Sequence, residues 1–88
     1  MTDTVNGIGV SGPIAEFLRT RLGQDVPPDK DLFADGLVSS MFAMELVVHL
    51  ESTFDIAITG SDLKMRNFRT IESMTALVIR LREEPGHD

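Results

Sequence analysis

Apolar residues recur at helical spacing in three stretches of this chain. Ile14, Phe17, Leu18 and Leu22 fall at i, i+3, i+4 and i+8, one face of an amphipathic helix, and predict a helix over about 12–23. Ser11 or Gly12 would cap it, Pro13 suits a first turn where its missing N–H costs little, and Gly23 would end it. Ala43, Leu46, Val47, Leu50 and Phe54 make a second stripe, over about 40–54. Ile71, Met74, Leu77, Val78 and Leu81 make a third, over about 71–83, with Thr70 as cap, Arg80 and Arg82 in its last turns, and Pro85 and Gly86 as the stop.

The segments between are read from their breakers. Pro27, Pro28 and Gly36 make 24–38 a loop, long for a small domain, pinned to the core by Leu32, Phe33 and Leu37. Ile56 and Ile58 alternate briefly, as an extended link does; Ser61 would cap a short helix over about 61–66, closed by Asn67. No stretch persuasively reads as sheet. The expected fold is all-α: a small four-helix bundle of three long helices and one short one around a single core. Residues 1–10 are expected to form a flexible tail, 11–84 the domain and 85–88 a second tail.

The second helix has an odd outer face. At 100° per residue, Met41, Met44, Glu45 and Val48 lie roughly opposite the core stripe, where a self-sufficient domain usually keeps polar residues. Two serines open the same helix. Ser39 is placed to cap it, its oxygen accepting a backbone N–H one turn in. That leaves Ser40 a hydroxyl with no required structural task; on the residues alone it is a polar first-turn residue.

Composition narrows the function classes. The 88 residues suit one domain, 42% of them hydrophobic, too many for a disordered chain. Cysteine is absent, so no disulfide or thiolate-metal staple exists, which fits a reducing cytosol. No basic leader with a long apolar run opens the chain, and no stretch approaches the roughly 18 apolar residues of a membrane span. The net charge is −6, unevenly spread: Asp25 to Asp62 holds eight acids and one base, the remainder six acids and seven bases. An acidic middle would repel phosphate backbones, against nucleic-acid binding, and would steer basic partner surfaces; solubility alone is the other use of such charge.

Enzyme chemistry finds little support. Ser39 or Ser40 with His49 would need contact at about 3 Å, yet nine residues of helix rise about 13 Å. His87 falls in the expected tail, and no nucleophile-elbow motif occurs. Asp29, Asp31 and Asp35 hint at a calcium loop, but Phe33 and Ser40 stand where ligands are required, so a solvated acidic loop is the better reading and no metal is expected.

In order along the chain, these pieces resemble an acyl carrier protein, over about residues 13–82. That family's attachment segment reads Gly-Leu, then Asp, the modified Ser, and Leu or Met, with Glu-Leu five and six residues beyond the Ser. Here Gly36-Leu37 precede, Met41 follows Ser40, and Glu45-Leu46 occupy the later position, which selects Ser40 over Ser39. LFADG before, LESTFDIAI after and NFRTIESMTALV in the last helix agree.

The resemblance implies a non-catalytic, cytoplasmic, monomeric carrier. A phosphopantetheinyl transferase would move 4′-phosphopantetheine from coenzyme A to Ser40, and the arm's thiol would hold an acyl or aminoacyl group as a thioester for acyl-loading and acyl-transfer enzymes. Met41, Met44, Glu45 and Val48 would form the docking face, flanked by Phe42 and Glu51. The departures are Ser39 for the usual acid before the modified Ser, Phe42 for an acid common in fatty-acid carriers, and Ser52 for another near the helix end. VSSMFAMELV is also similar to stand-alone polyketide carriers of methoxymalonyl-type extender units, implying secondary-metabolite, antibiotic-type biosynthesis; aminoacyl and glyceryl carriers are its neighbours. The rival reading is a helical protein-interaction module with no prosthetic group.

Overall fold

The computed structural model describes the backbone of residues 2–34 and 36–83, and side chains from residue 9 onward. Three helices, α1 (Thr2–Leu22), α2 (Ser40–Phe54) and α3 (Ile71–Arg82), enclose one apolar core. No strand occurs among the described residues. Asp35, His87 and the expected tail 85–88 lie outside them.

α1 starts about ten residues earlier than its stripe predicts, at Thr2 and not near 12. The reason is Val10, which sits one turn before Ile14 and Leu18 on the same face and is as fully buried as they are. Pro13 is therefore inside the helix, not in its first turn. Its missing N–H leaves the Gly9 carbonyl without its usual partner, and Gly9 is exposed, where water can serve instead. Gly23 ends the helix as expected, at φ +76°, its N–H donating to the Arg19 carbonyl at 2.8 Å.

The loop to α2 is built on Leu32, fully buried, whose carbonyl accepts from Leu37 N–H at 3.1 Å and Val38 N–H at 3.2 Å. Asp31 turns the chain beside it: one carboxylate oxygen accepts from Phe33 N–H at 3.1 Å and Ala34 N–H at 3.0 Å. Val26 and Val38, which the sequence pattern did not single out, are buried, whereas Phe33 and Leu37 are half-buried. Two backbone bonds stitch this loop to the start of α3: Leu32 N–H to the Arg69 carbonyl at 2.8 Å, and Glu72 N–H to the Pro28 carbonyl at 3.1 Å.

α2 buries Leu46, Val47 and Leu50, with Ala43 and Phe54 packed at the edge. It ends at Asp55, a left-handed residue at φ 56°, ψ 52°. Past it, Ile58 of the extended link is buried. The short helix expected over 61–66 is instead two 3₁₀ turns, Gly60–Asp62 and Met65–Asn67. Lys64 between them is extended, at φ −121°, ψ 141°, so no α-helical ladder can run through. Asn67 braces the pair by donating from Nδ2 to the Asp62 carbonyl at 2.8 Å. Among the described residues the bundle therefore has three true helices, not four. α3 is set by a reciprocal cap: Thr70 Oγ1 accepts from Ser73 N–H at 2.9 Å, and Ser73 Oγ accepts from Thr70 N–H at 3.1 Å. Ile71, Met74, Leu77 and Val78 are its buried face, and α1 lies closest to it.

Candidate functional site

The two serines at the start of α2 are used differently. Ser39 is extended, at φ −88°, ψ 171°, and its hydroxyl accepts the Phe42 N–H at 3.2 Å. Ser40 is the first helical residue and is exposed. Among the described residues its hydroxyl has no hydrogen-bond partner. No acid stands in the first turn of α2, so none there neutralises the positive end of the helix dipole. An anion on Ser40 would meet unpaired N–H groups and no acid in the same helical turn, an environment that favours negative charge.

Exposed apolar residues follow Ser40 along α2. Met41, Met44 and Val48 are 77%, 59% and 62% exposed, a stripe at i, i+3 and i+7 along α2. They border an open groove shared with Phe17 and Arg21 of α1. On the opposite flank a smaller recess is lined by Ser40, Ala43, Met44, Val47, Leu63 and Met65, with the exposed Lys64 among them.

The other residues assigned to this face are committed within the chain. Glu45 pairs with Arg21 of α1. The Arg21 guanidinium also lies over the rings of Phe17, at 5.5 Å, and Phe42, at 5.1 Å. Phe42 is half-buried, its ring stacked on Phe17 with centroids 5.9 Å apart. Glu51 does not flank the exposed stripe: it turns toward the link after α2, where its Oε2 accepts the Ile58 N–H at 2.8 Å. The spacing of the sequence could place Phe42 and Glu51 on the helix but not show these partners, which come from other segments.

His49 lies two and a half turns from Ser40. It stacks flat on Phe17 instead of reaching toward the helix start, and burial holds its pKa below the ordinary value. Asp31 is spent on its turn and on Arg69, whose guanidinium donates to it at 3.0 Å. No three His, Asp or Glu side chains converge as a metal would need among the described residues.

The ion pairs also redistribute the charge. Asp25 lies near Arg19, Asp31 near Arg69, Glu45 near Arg21 and Asp62 near Arg80. Four of the eight acids from the middle of the chain thus meet bases from both ends, and the segregation seen along the sequence is partly offset in space. No helix among the described residues is long and apolar enough to cross a membrane.

A solvent-facing hydroxyl without an internal hydrogen bond thus stands at the positive tip of a helix whose outer side is apolar, an arrangement that a carrier could use. The family defined by a phosphopantetheine attachment site matches residues 13–78, and the chain belongs to it. It is a non-catalytic substrate of partner enzymes and bears 4′-phosphopantetheine covalently. Among its relatives are D-alanyl carrier proteins of Lactococcus lactis, 36% identical over 64% of this chain and 71% of the relative, and of Leuconostoc mesenteroides, 36% identical over 74% and 86%. That of Streptococcus thermophilus is 33% identical over 83% and 95%. These relatives are named for D-alanine, not for the methoxymalonyl-type polyketide units that VSSMFAMELV resembles; the carrier role is common ground, and the polyketide context is not.

Proposed function

We propose that Ser40 is the attachment residue, and that the chain presents an acyl or aminoacyl group, held as a thioester, to the enzymes of a dedicated biosynthetic pathway. The observation that carries this is the division of labour at the start of α2: Ser39 is consumed as the cap, and Ser40, beside it, offers a free and exposed hydroxyl. Ser40 Oγ would form a bond to the phosphorus next to the pantetheine of coenzyme A. The pyrophosphate bond breaks, adenosine 3′,5′-bisphosphate leaves, and the hydroxyl proton passes to a base of the transferase. When bound, the arm supplies the thiol that this cysteine-free chain lacks.

The remaining roles follow from position. Ser39 fixes the first turn and so the direction in which Ser40 points. Met41, Met44 and Val48 give a partner enzyme a surface to hold while the arm enters its active site. The names of the relatives support an aminoacyl cargo. The apolar residues where fatty-acid carriers show acids support a secondary-metabolite pathway, polyketide or related.

Incubation with coenzyme A and a promiscuous phosphopantetheinyl transferase, followed by intact-mass measurement, tests the anchor. One phosphopantetheine is gained by the native chain and by Ser39→Ala, and none by Ser40→Ala. Modification of Ser39, or an unchanged native mass, refutes the assignment. An unchanged mass would leave the prosthetic-group-free interaction module as the reading. The mass of the group carried by protein isolated from its native host identifies the cargo.

A further inference from the structure

We infer that Lys64 holds the phosphodiester formed on Ser40, so that the prosthetic arm leaves α2 on the side of the two 3₁₀ turns and not on the side of α1. The inference rests on the carrier reading above and adds to it a positioning residue and a direction for the arm.

The two flanks of the α2 tip differ in charge. On the α1 side, Arg21 lines the surface next to Ser39, but it is paired with Glu45 and lies against the Phe17 and Phe42 rings. An anion there would meet the Glu45 carboxylate together with the guanidinium, and the two effects largely cancel. The other flank is the recess that Ser40 itself lines, with Val47, Leu63 and Met65. Of the residues lining it, Lys64 carries the only charge, and its ammonium has no ion-pair or hydrogen-bond partner among the described residues. The backbone fixes where Lys64 stands. It is extended, at φ −121°, ψ 141°, between the two 3₁₀ turns, and its carbonyl accepts the Asn67 N–H at 2.9 Å. Asn67 Nδ2 donates to the Asp62 carbonyl, and the Asp62 carboxylate is tied to Arg80 of α3, both at 2.8 Å. The root of the side chain is therefore held, while its flexible stem lets the ammonium follow a phosphate oxygen. The phosphorus would be bonded directly to Ser40 Oγ, so the new charge arises in the recess that has an unspent cation, and a charge-assisted hydrogen bond can form there. Arg66 is also exposed and without a charged partner among the described residues, but it does not line this recess and serves as the comparison.

The test loads the native chain and its variants with coenzyme A and the promiscuous transferase, and intact mass confirms the phosphopantetheine on Ser40. Proton NMR then follows the arm at low and high salt, and thermal unfolding compares the unloaded and loaded forms. In the loaded native protein, the methyl groups of the pantoyl unit, next to the phosphate, are expected to show NOEs to Leu63 and Met65 and none to Phe17. At low salt Lys64→Gln should weaken those NOEs by about half and cut the rise in thermal midpoint on loading by about 2 °C, the scale of one exposed ion pair in a domain of this size. Lys64→Arg should keep both signals, and Arg66→Gln should leave both unchanged. High salt should bring the native protein toward the Lys64→Gln values. NOEs to Phe17 in the native protein, a Lys64→Gln variant indistinguishable from native, or an equal loss in Arg66→Gln overturns the inference while leaving the carrier assignment standing. If the native chain gains no mass, the carrier assignment falls, and this inference with it.

Discussion

The imidazole of His49 lies flat against the ring of Phe17, centroids 3.9 Å apart and planes inclined by 14°. The contact ties α2 to α1 on the side bearing the exposed methionines. Burial disfavours the charged imidazole, so its pKa in the folded chain lies below the ordinary 6.5. The stability that His49 contributes is therefore complete above pH 6.5 and is lost as pH falls through the lower folded value. A proton NMR titration should give a His49 midpoint under 6.5. His49→Phe keeps a flat ring on Phe17 and should remove this part of the acid-side decline in thermal midpoint. A midpoint at or above the ordinary value would contradict the stacking environment.

Asp31 titrates in the same sense at lower pH. The Ala34 N–H is the chief cause of its depressed pKa, with Arg69 and the Phe33 N–H adding to it against a smaller opposing effect of desolvation. Its contribution is present above 3.8 and is lost as pH falls through the folded value. Asp31→Asn keeps an oxygen for the turn but removes the charge facing Arg69. It should lower the thermal midpoint at neutral pH, and the gap to the native chain should close on acidification below that range. A gap that persists unchanged in acid would place the loss elsewhere.

Glu51 reaches seven residues ahead to the N–H of Ile58, whose side chain is in the core. Glu51→Ala leaves that amide without its partner and should cost about 1–3 kcal/mol in urea unfolding, the usual effect of stranding a half-buried donor. Glu51→Gln retains an acceptor and should restore part of the loss. If Glu51→Ala is as stable as the native chain, water replaces the carboxylate there.

Asp55 closes α2 in the left-handed region, at φ 56°, ψ 52°, where a side chain is strained and glycine is not. It also sets a negative charge at the negative end of the helix. Asp55→Gly should raise stability by about 0.5–1 kcal/mol, allowing for the greater freedom of glycine in the unfolded chain. A destabilised variant would mean that the Asp55 carboxylate has a compensating role.

What the sequence revealed and what it hid divide along physical lines. The core stripes of α2 and α3 depend on spacing alone, and Leu46, Leu50, Met74 and Val78 are buried where their periodicity puts them. Ser39 as cap and Gly23 as stop are local chemistry, equally readable. The start of α1 was obscured because Gly7, Gly9, Gly12 and Pro13 are local breakers, while Val10 is drawn into the helix by the core that its partners build. The two 3₁₀ turns depend on Lys64 being extended, which no periodicity signals. At the candidate site, the exposed stripe followed from angle along α2, but the partners of Glu45 and Glu51 did not. Arg21 lies 24 positions before Glu45, and only the packing of α1 on α2 brings them together. The counter-charges of four acids in the middle of the chain were hidden for the same reason, since they arrive from both ends.

The backbone stitches from Leu32 to Arg69 and from Glu72 to Pro28 have a mechanical consequence. They anchor the approach to Ser40 on the helix farthest along the chain, so the serine stands on a braced mounting and not on a swinging loop. An arm attached there would turn about a braced pivot, and the radius it swept would be set chiefly by its own length.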